Sequence, residues 1–386
     1  MITRTPPLPI QQTRLREQAI AQVHPKLAGL KASLRSSLTL VDELGEGDRL
    51  DVVLNILPKQ DAQYFEFDSV MINSLLEHFQ CPVTQEDEQV IPSYWNEWQH
   101  AMTYFSMHVQ DGPGRRYLTF VRIRRDPDTH PRLDDLVWMG HEIGHQMLNR
   151  YLDEFTELFM PAWQEFEGEI AQAKLTAKGR SLELVCEREE ATIRYWSPTS
   201  QAANWTHELA IDALCVHVFG PAYLWAFAQE HLPELDRYDQ HQLDLHPPLR
   251  LRTEVMDAVA RKLGWGDHAI LQPLLNAWQA LPEDASSSNL YTAHRKPYLM
   301  KGAHEAALAL AQQRGIVGLT PEEFDGIRAQ DIISGDPEAR DVILAAWKQR
   351  RDLRSVTELE QWEQDVVTQT LEALAAGDVA ATGSVP

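Results

Sequence analysis

Five consecutive residues of this chain can do chemistry together: His141-Glu142-Ile143-Gly144-His145. On a helix, positions four apart share a face, so both imidazoles reach one metal ion. Glu142 is rotated by about 100° from His141. That takes it out of the ligand position but leaves it within reach of a water on the metal, whose proton it can accept. Ile143, Gly144, Gln146 and Met147 are uncharged, as suits a buried site. Gly144 leaves room for another element to come close.

A hydrolytic zinc site takes three protein ligands and keeps one position open. Glu208-Leu209-Ala210-Ile211-Asp212 offers the third. On a helix, Glu208 and Asp212 lie one turn apart on one face. Glu208 then binds the metal, and Asp212 accepts a proton from a ligand histidine and so fixes its tautomer. Leu209, Ala210, Ile211, Ala213, Leu214, Cys215 and Val216 make this helix apolar all round. Such a helix is buried, and buried carboxylates need partners. Rivals for the third ligand are His207, His217 and Glu190. His217 falls on the opposite side of the helix from Glu208. Glu190 sits in the charged run EREE, which reads as a solvated face.

The third element is His246-Pro247-Pro248-Leu249-Arg250-Leu251-Arg252. Pro247 biases His246 to an extended backbone and Pro248 suits a helix start. His246 is then held at a helix mouth, where a donor can stabilise a developing oxyanion. Arg252 is a candidate to hold a substrate carbonyl or His246 itself. Taken alone, this segment reads better as an ordinary helix start followed by an exposed arginine; the two other motifs make it a candidate.

HEIGH, ELAIDA and HPPLRLR, in that order, resemble the gluzincin metallopeptidases, and more narrowly the group of the CAAX prenyl proteases and HtpX-like heat-shock proteases. That group carries HExGH, then ExxxD followed by Ala, then HPPLxxR. The resemblance spans roughly residues 116 to 265. It implies His141, His145 and Glu208 as zinc ligands, Glu142 as catalyst, Asp212 behind the ligands, and His246 and Arg252 along the cleft. Many members of that group are embedded in membranes. Here the most apolar stretch, Ala213 to Ala228, is too short to span a bilayer and is interrupted by Gly220-Pro221.

The elements that must position these residues are mostly helical. Residues 12 to 44, 69 to 79 and 153 to 195 carry helical patterning, the last with a break at Ala177-Lys178-Gly179. A helix begins near Pro131 and carries HEIGH, with Asp134 and Asp135 at its positive end. Others run from about Ala202 to Phe219, from Pro221, after His246-Pro247-Pro248, and over 301 to 376. Residues 49 to 57 and 115 to 125 read as strands. The second of these directly precedes HEIGH, and its free edge is a place for an extended peptide to pair. LPEDASSSN, 281 to 289, is small and polar and reads as a linker. The expected class is α+β, mostly helical: a zincin-like metallopeptidase core with a small sheet and additional helical regions. The expected division is 1–115 as a mixed α/β region, 116–280 as the core and 290–386 as a C-terminal helical region.

Composition narrows the function. With 44% hydrophobic residues and 11 Trp the 386-residue chain can bury a real core. A net charge of -22 repels phosphate backbones and anionic lipid, which argues against nucleic acid and membrane partners. Three widely spaced Cys (Cys81, Cys186, Cys215) fit neither a disulfide framework nor a zinc-thiolate site. The N-terminal residues lack a signal-peptide core. The expectation is a cytoplasmic metalloendopeptidase with one zinc ion per chain, acting on a protein or peptide, its C-terminal helical region being a candidate surface for a protein partner. A zinc aminopeptidase and a non-catalytic zincin-fold binding or regulatory module are the alternatives. The first lacks an obvious GxMEN-type motif, and the second would be marked by loss of Glu142 or a ligand, all of which are present. An accidental HExxH in a helical scaffold is the remaining reading.

Overall fold

The computed structural model describes residues 65–81, 88–94, 104–111, 114–123, 132–199, 204–231, 246–280, 295–334, 338–352 and 355–382. The expected helix at 12 to 44, the expected strand at 49 to 57 and the linker at 281 to 289 lie outside them. The described chain is mostly helical. By its internal contacts it falls into two compact units, Met1–Ile143 with Ile327–Pro386, and Gly144–Gly326.

In the first unit, α1 (Phe65–His78) forms because Phe67, Met71, Ile72, Leu75 and Leu76 recur at helical spacing, and all five are buried. Three strands follow: β1 (Glu88–Tyr94), β2 (Tyr104–Asp111) and β3 (Gly114–Ile123). Their order is β1-β3-β2. β3 pairs parallel with β1, Val90 opposite Thr119, and antiparallel with β2, Phe105 opposite Phe120. This overturns one expectation. The strand ahead of HEIGH is central, its backbone is committed on both sides, and it has no free edge for a peptide.

A 3₁₀ turn, Leu133–Leu136, then leads into α2 (Val137–Arg150), the HEIGH helix, whose residues from Gly144 on count with the second unit. The helix proper therefore starts later than Pro131. The preceding turn is tightened, and a distant side chain satisfies its first N–H: Leu133 donates to Glu363 Oε1 at 3.0 Å. Asp134 is buried beside Arg132, 3.6 Å away, and in contact with Arg350. The unit closes with α11 (Ala329–Ser334), α12 (Ala339–Asp352) and α13 (Val356–Thr382).

The second unit holds α3 (Leu152–Thr176), α4 (Arg180–Trp196), α5 (Trp205–Phe219), α6 (Pro221–His231), α7 (Leu249–Lys262), α8 (Gln272–Gln279), α9 (Pro297–Arg314) and the short α10 (Pro321–Gly326). The break between α3 and α4 falls at 177–179. α5 starts at Trp205 because the Asn204 side chain accepts the His207 N–H at 3.0 Å. It is the core of its unit: every residue is buried except His207 and His217, which are partly so. α9 packs against α3 and α5, and α7 packs against α5. Gly220, at φ +49°, turns the chain directly from α5 into α6. Among the described residues no helix is long and apolar enough to cross a membrane.

Candidate metal centre

α2 presents His141 and His145, and α5 presents Glu208. One ligand atom from each of these three residues lies within 4.8 Å of the other two. His145 Nε2 is 3.4 Å from Glu208 Oε1. With metal bonds of about 2.0 Å, neighbouring ligands of a tetrahedral zinc site sit about 3.3 Å apart. The observed separation is of that size. His141 and Glu208 are buried, at 6% and 8% exposure. His145 is half-buried, which leaves one side of the group open to solvent. Two imidazoles and a carboxylate, largely withdrawn from water, are the donor set of a divalent cation, and this buried group can hold a metal ion.

The local sequence explains the convergence. The i, i+4 spacing stacks His141 and His145 on one face of α2. His141 packs edge-on against Trp138, ring centroids 6.4 Å apart. Between the histidines, Gly144 meets α5. A Cβ there would stand 2.8 Å from Ile211 Cγ2, closer than real contacts allow. Any side chain at 144 would push back Ile211, three residues after Glu208. Glu142, half-buried, projects from α2 about 100° around from His141.

Asp212, one turn beyond Glu208, is fully buried. Its carboxylate receives two hydrogen bonds from Arg252, Nε to Oδ2 and Nη2 to Oδ1, both at 2.7 Å. Tyr223 Oη donates a third to Oδ1 at 2.6 Å. Burial penalises the Arg252 charge, but the adjacent Asp212 carboxylate more than offsets it and holds the guanidinium above its usual pKa. Burial, with the Asp212 charge beside it, likewise keeps the Tyr223 phenol protonated well beyond the usual range. Arg252, expected along the cleft, thus spends its planar fork on Asp212 rather than on His246. Its side chain is only 7% exposed. His246 stands where its motif puts it, just ahead of α7. It is exposed, with Nε2 4.0 Å from Glu208 Oε1.

The rival ligands are placed elsewhere. The His207 ring packs edge-on against Phe155, and burial lowers its pKa to about 4. His217 Nε2 lies 3.2 Å from the Ile316 carbonyl, and its ring fills the space beside Gly318. Glu190 is exposed on α4. The residue that sequence reasoning missed is Tyr223. Its signal was a phenol inside an apolar run, since a buried tyrosine hydroxyl must find a partner.

Comparison of the chain with family models, with curated proteins and with solved structures gave no match.

Proposed function

We propose that this chain is a zinc-dependent metallopeptidase with a zincin-like core, of the gluzincin type that the order of HEIGH, ELAIDA and HPPLRLR resembles. The observation that carries the reading is the meeting of His141, His145 and Glu208, with Glu142 on the same helix as the two histidines. Zinc held there would supply a Lewis acid and lower the pKa of a bound water. His141, His145 and Glu208 would hold the ion. Glu142 accepts the proton from the attacking water and returns it to the leaving amine. His246 would donate to the developing oxyanion, a role supported by its exposure and by the 4.0 Å between its Nε2 and Glu208 Oε1. The substrate is a protein or peptide. A cytoplasmic location belongs to the same proposal and is supported by the wide spacing of Cys81, Cys186 and Cys215, which fits no disulfide framework.

The test is cleavage of a mixed peptide library with blocked N-termini, read by mass spectrometry, with and without a chelator. The expected result is chelator-sensitive internal cleavage that falls by about 10²–10⁴-fold in Glu142→Gln while zinc content is unchanged. Cleavage that survives Glu142→Gln would remove the assigned role of that residue.

A further inference from the structure

We propose that Tyr223 and Arg252 are positioning residues for the metal centre: together they lock the Asp212 carboxylate, and through it they set Glu208 and His246. This rests on the reading of Glu208 as a metal ligand. Three helices each contribute one member of the lock, Asp212 from α5, Tyr223 from α6 and Arg252 from α7. The paired bonds from Arg252 at 2.7 Å fix the plane of the carboxylate as well as its distance. Tyr223 Oη, at 2.6 Å, fixes the Oδ1 end. α6 also steadies the guanidinium. Phe227, one turn after Tyr223, lies under the guanidinium with its ring centroid 4.8 Å from Cζ.

The lock sits one turn from Glu208 along α5, and His246 lies six residues before Arg252, just ahead of α7. Pinning α7 to α5 at Asp212 therefore sets the 4.0 Å separation of His246 Nε2 and Glu208 Oε1. An arginine this enclosed does not grip substrate. Its effect on the reaction passes through the groups it holds.

A purely structural role for the same contacts predicts something different: loss of thermal stability with no change in how tightly the folded chain takes up metal. The test measures Zn²⁺ affinity by competition with a chromophoric chelator, and the visible spectrum of the Co²⁺-substituted protein. The proteins compared are wild type, Tyr223→Phe, Arg252→Lys and a core control, Leu271→Ala. Tyr223→Phe keeps the ring and removes only the donor. The expected result is about tenfold weaker Zn²⁺ binding and a shifted Co²⁺ spectrum in Tyr223→Phe, and a larger loss in Arg252→Lys. The control should keep wild-type affinity despite a lowered melting temperature. Wild-type affinity and spectrum in both variants would overturn the proposal, as would an equal loss in the control. Absence of metal binding in wild type itself would overturn the metal reading and this inference with it. That failure is told apart because it appears before any substitution is made.

Discussion

Asp212 in α5 and Glu363 in α13 are both buried carboxylates, 0% and 2% exposed, yet their surroundings treat the charge in opposite ways. Asp212 faces a guanidinium fork and a phenol, and its charge is matched in place. Glu363 caps the Leu133 N–H ahead of α2, and burial pushes its pKa up to about 7 against the pull of that hydrogen bond and of Arg132. Asp135 and Glu360 push the same way as burial, and burial and Asp135 raise Asp134 in the same cluster. The contrast teaches how a chain keeps an acid inside. At Asp212 a guanidinium fork and a phenol satisfy both carboxylate oxygens. At Glu363 burial outweighs the Leu133 N–H and Arg132, and the acid takes up a proton more readily.

The largest effect expected from this contrast is at the matched pair. Arg252→Ala leaves the Asp212 carboxylate buried without its cation and should cost about 3–5 kcal/mol in equilibrium denaturation at neutral pH. A loss below about 1 kcal/mol would mean that the pair does not hold the charge in place. The next effect concerns Glu363. Its folded pKa lies above the ordinary glutamate value of 4.5. The folded chain therefore binds more protons than the unfolded chain between that value and about 7. Stability from this group is fully present below the unfolded pKa and is lost as pH rises through the folded one, by on the order of 3 kcal/mol in total. Glu363→Gln should flatten that part of the pH–stability profile. An unchanged slope would show that the acid is not the titrating group. The smallest effect lies beside the group of His141, His145 and Glu208. Gly144→Ala sets a methyl 2.8 Å from Ile211 Cγ2 and should destabilise by about 1–2 kcal/mol on thermal unfolding. A neutral change would mean that α5 can give way there.

What could be read from sequence follows the range of the interactions involved. The i, i+4 histidines of α2 and the all-apolar neighbours of Glu208 are local signals, and they predicted a buried carboxylate on α5 in reach of both rings. The break at 177–179 and the turn at Gly220-Pro221 are local as well. The roles of Arg252 and Glu363 are not. Arg252 sits in a motif suggestive of a cleft, and only the packing of α7 on α5 reveals that its fork closes on Asp212, 40 residues back in the chain. Glu363 reaches Leu133 across 230 residues, and its residue type does not set it apart from the exposed Gln361 and Asp365 in QWEQD. The pairing of β3 on both sides was equally hidden, since alternation marks a strand without saying how many neighbours it has.

The most direct test of the central claim is zinc content by elemental mass spectrometry on wild type and Glu208→Ala side by side, with folding checked by circular dichroism. The account predicts about one zinc per chain in wild type and loss of that zinc in a folded Glu208→Ala. Stoichiometric zinc retained in the variant, or a folded wild type that takes up none, would contradict it.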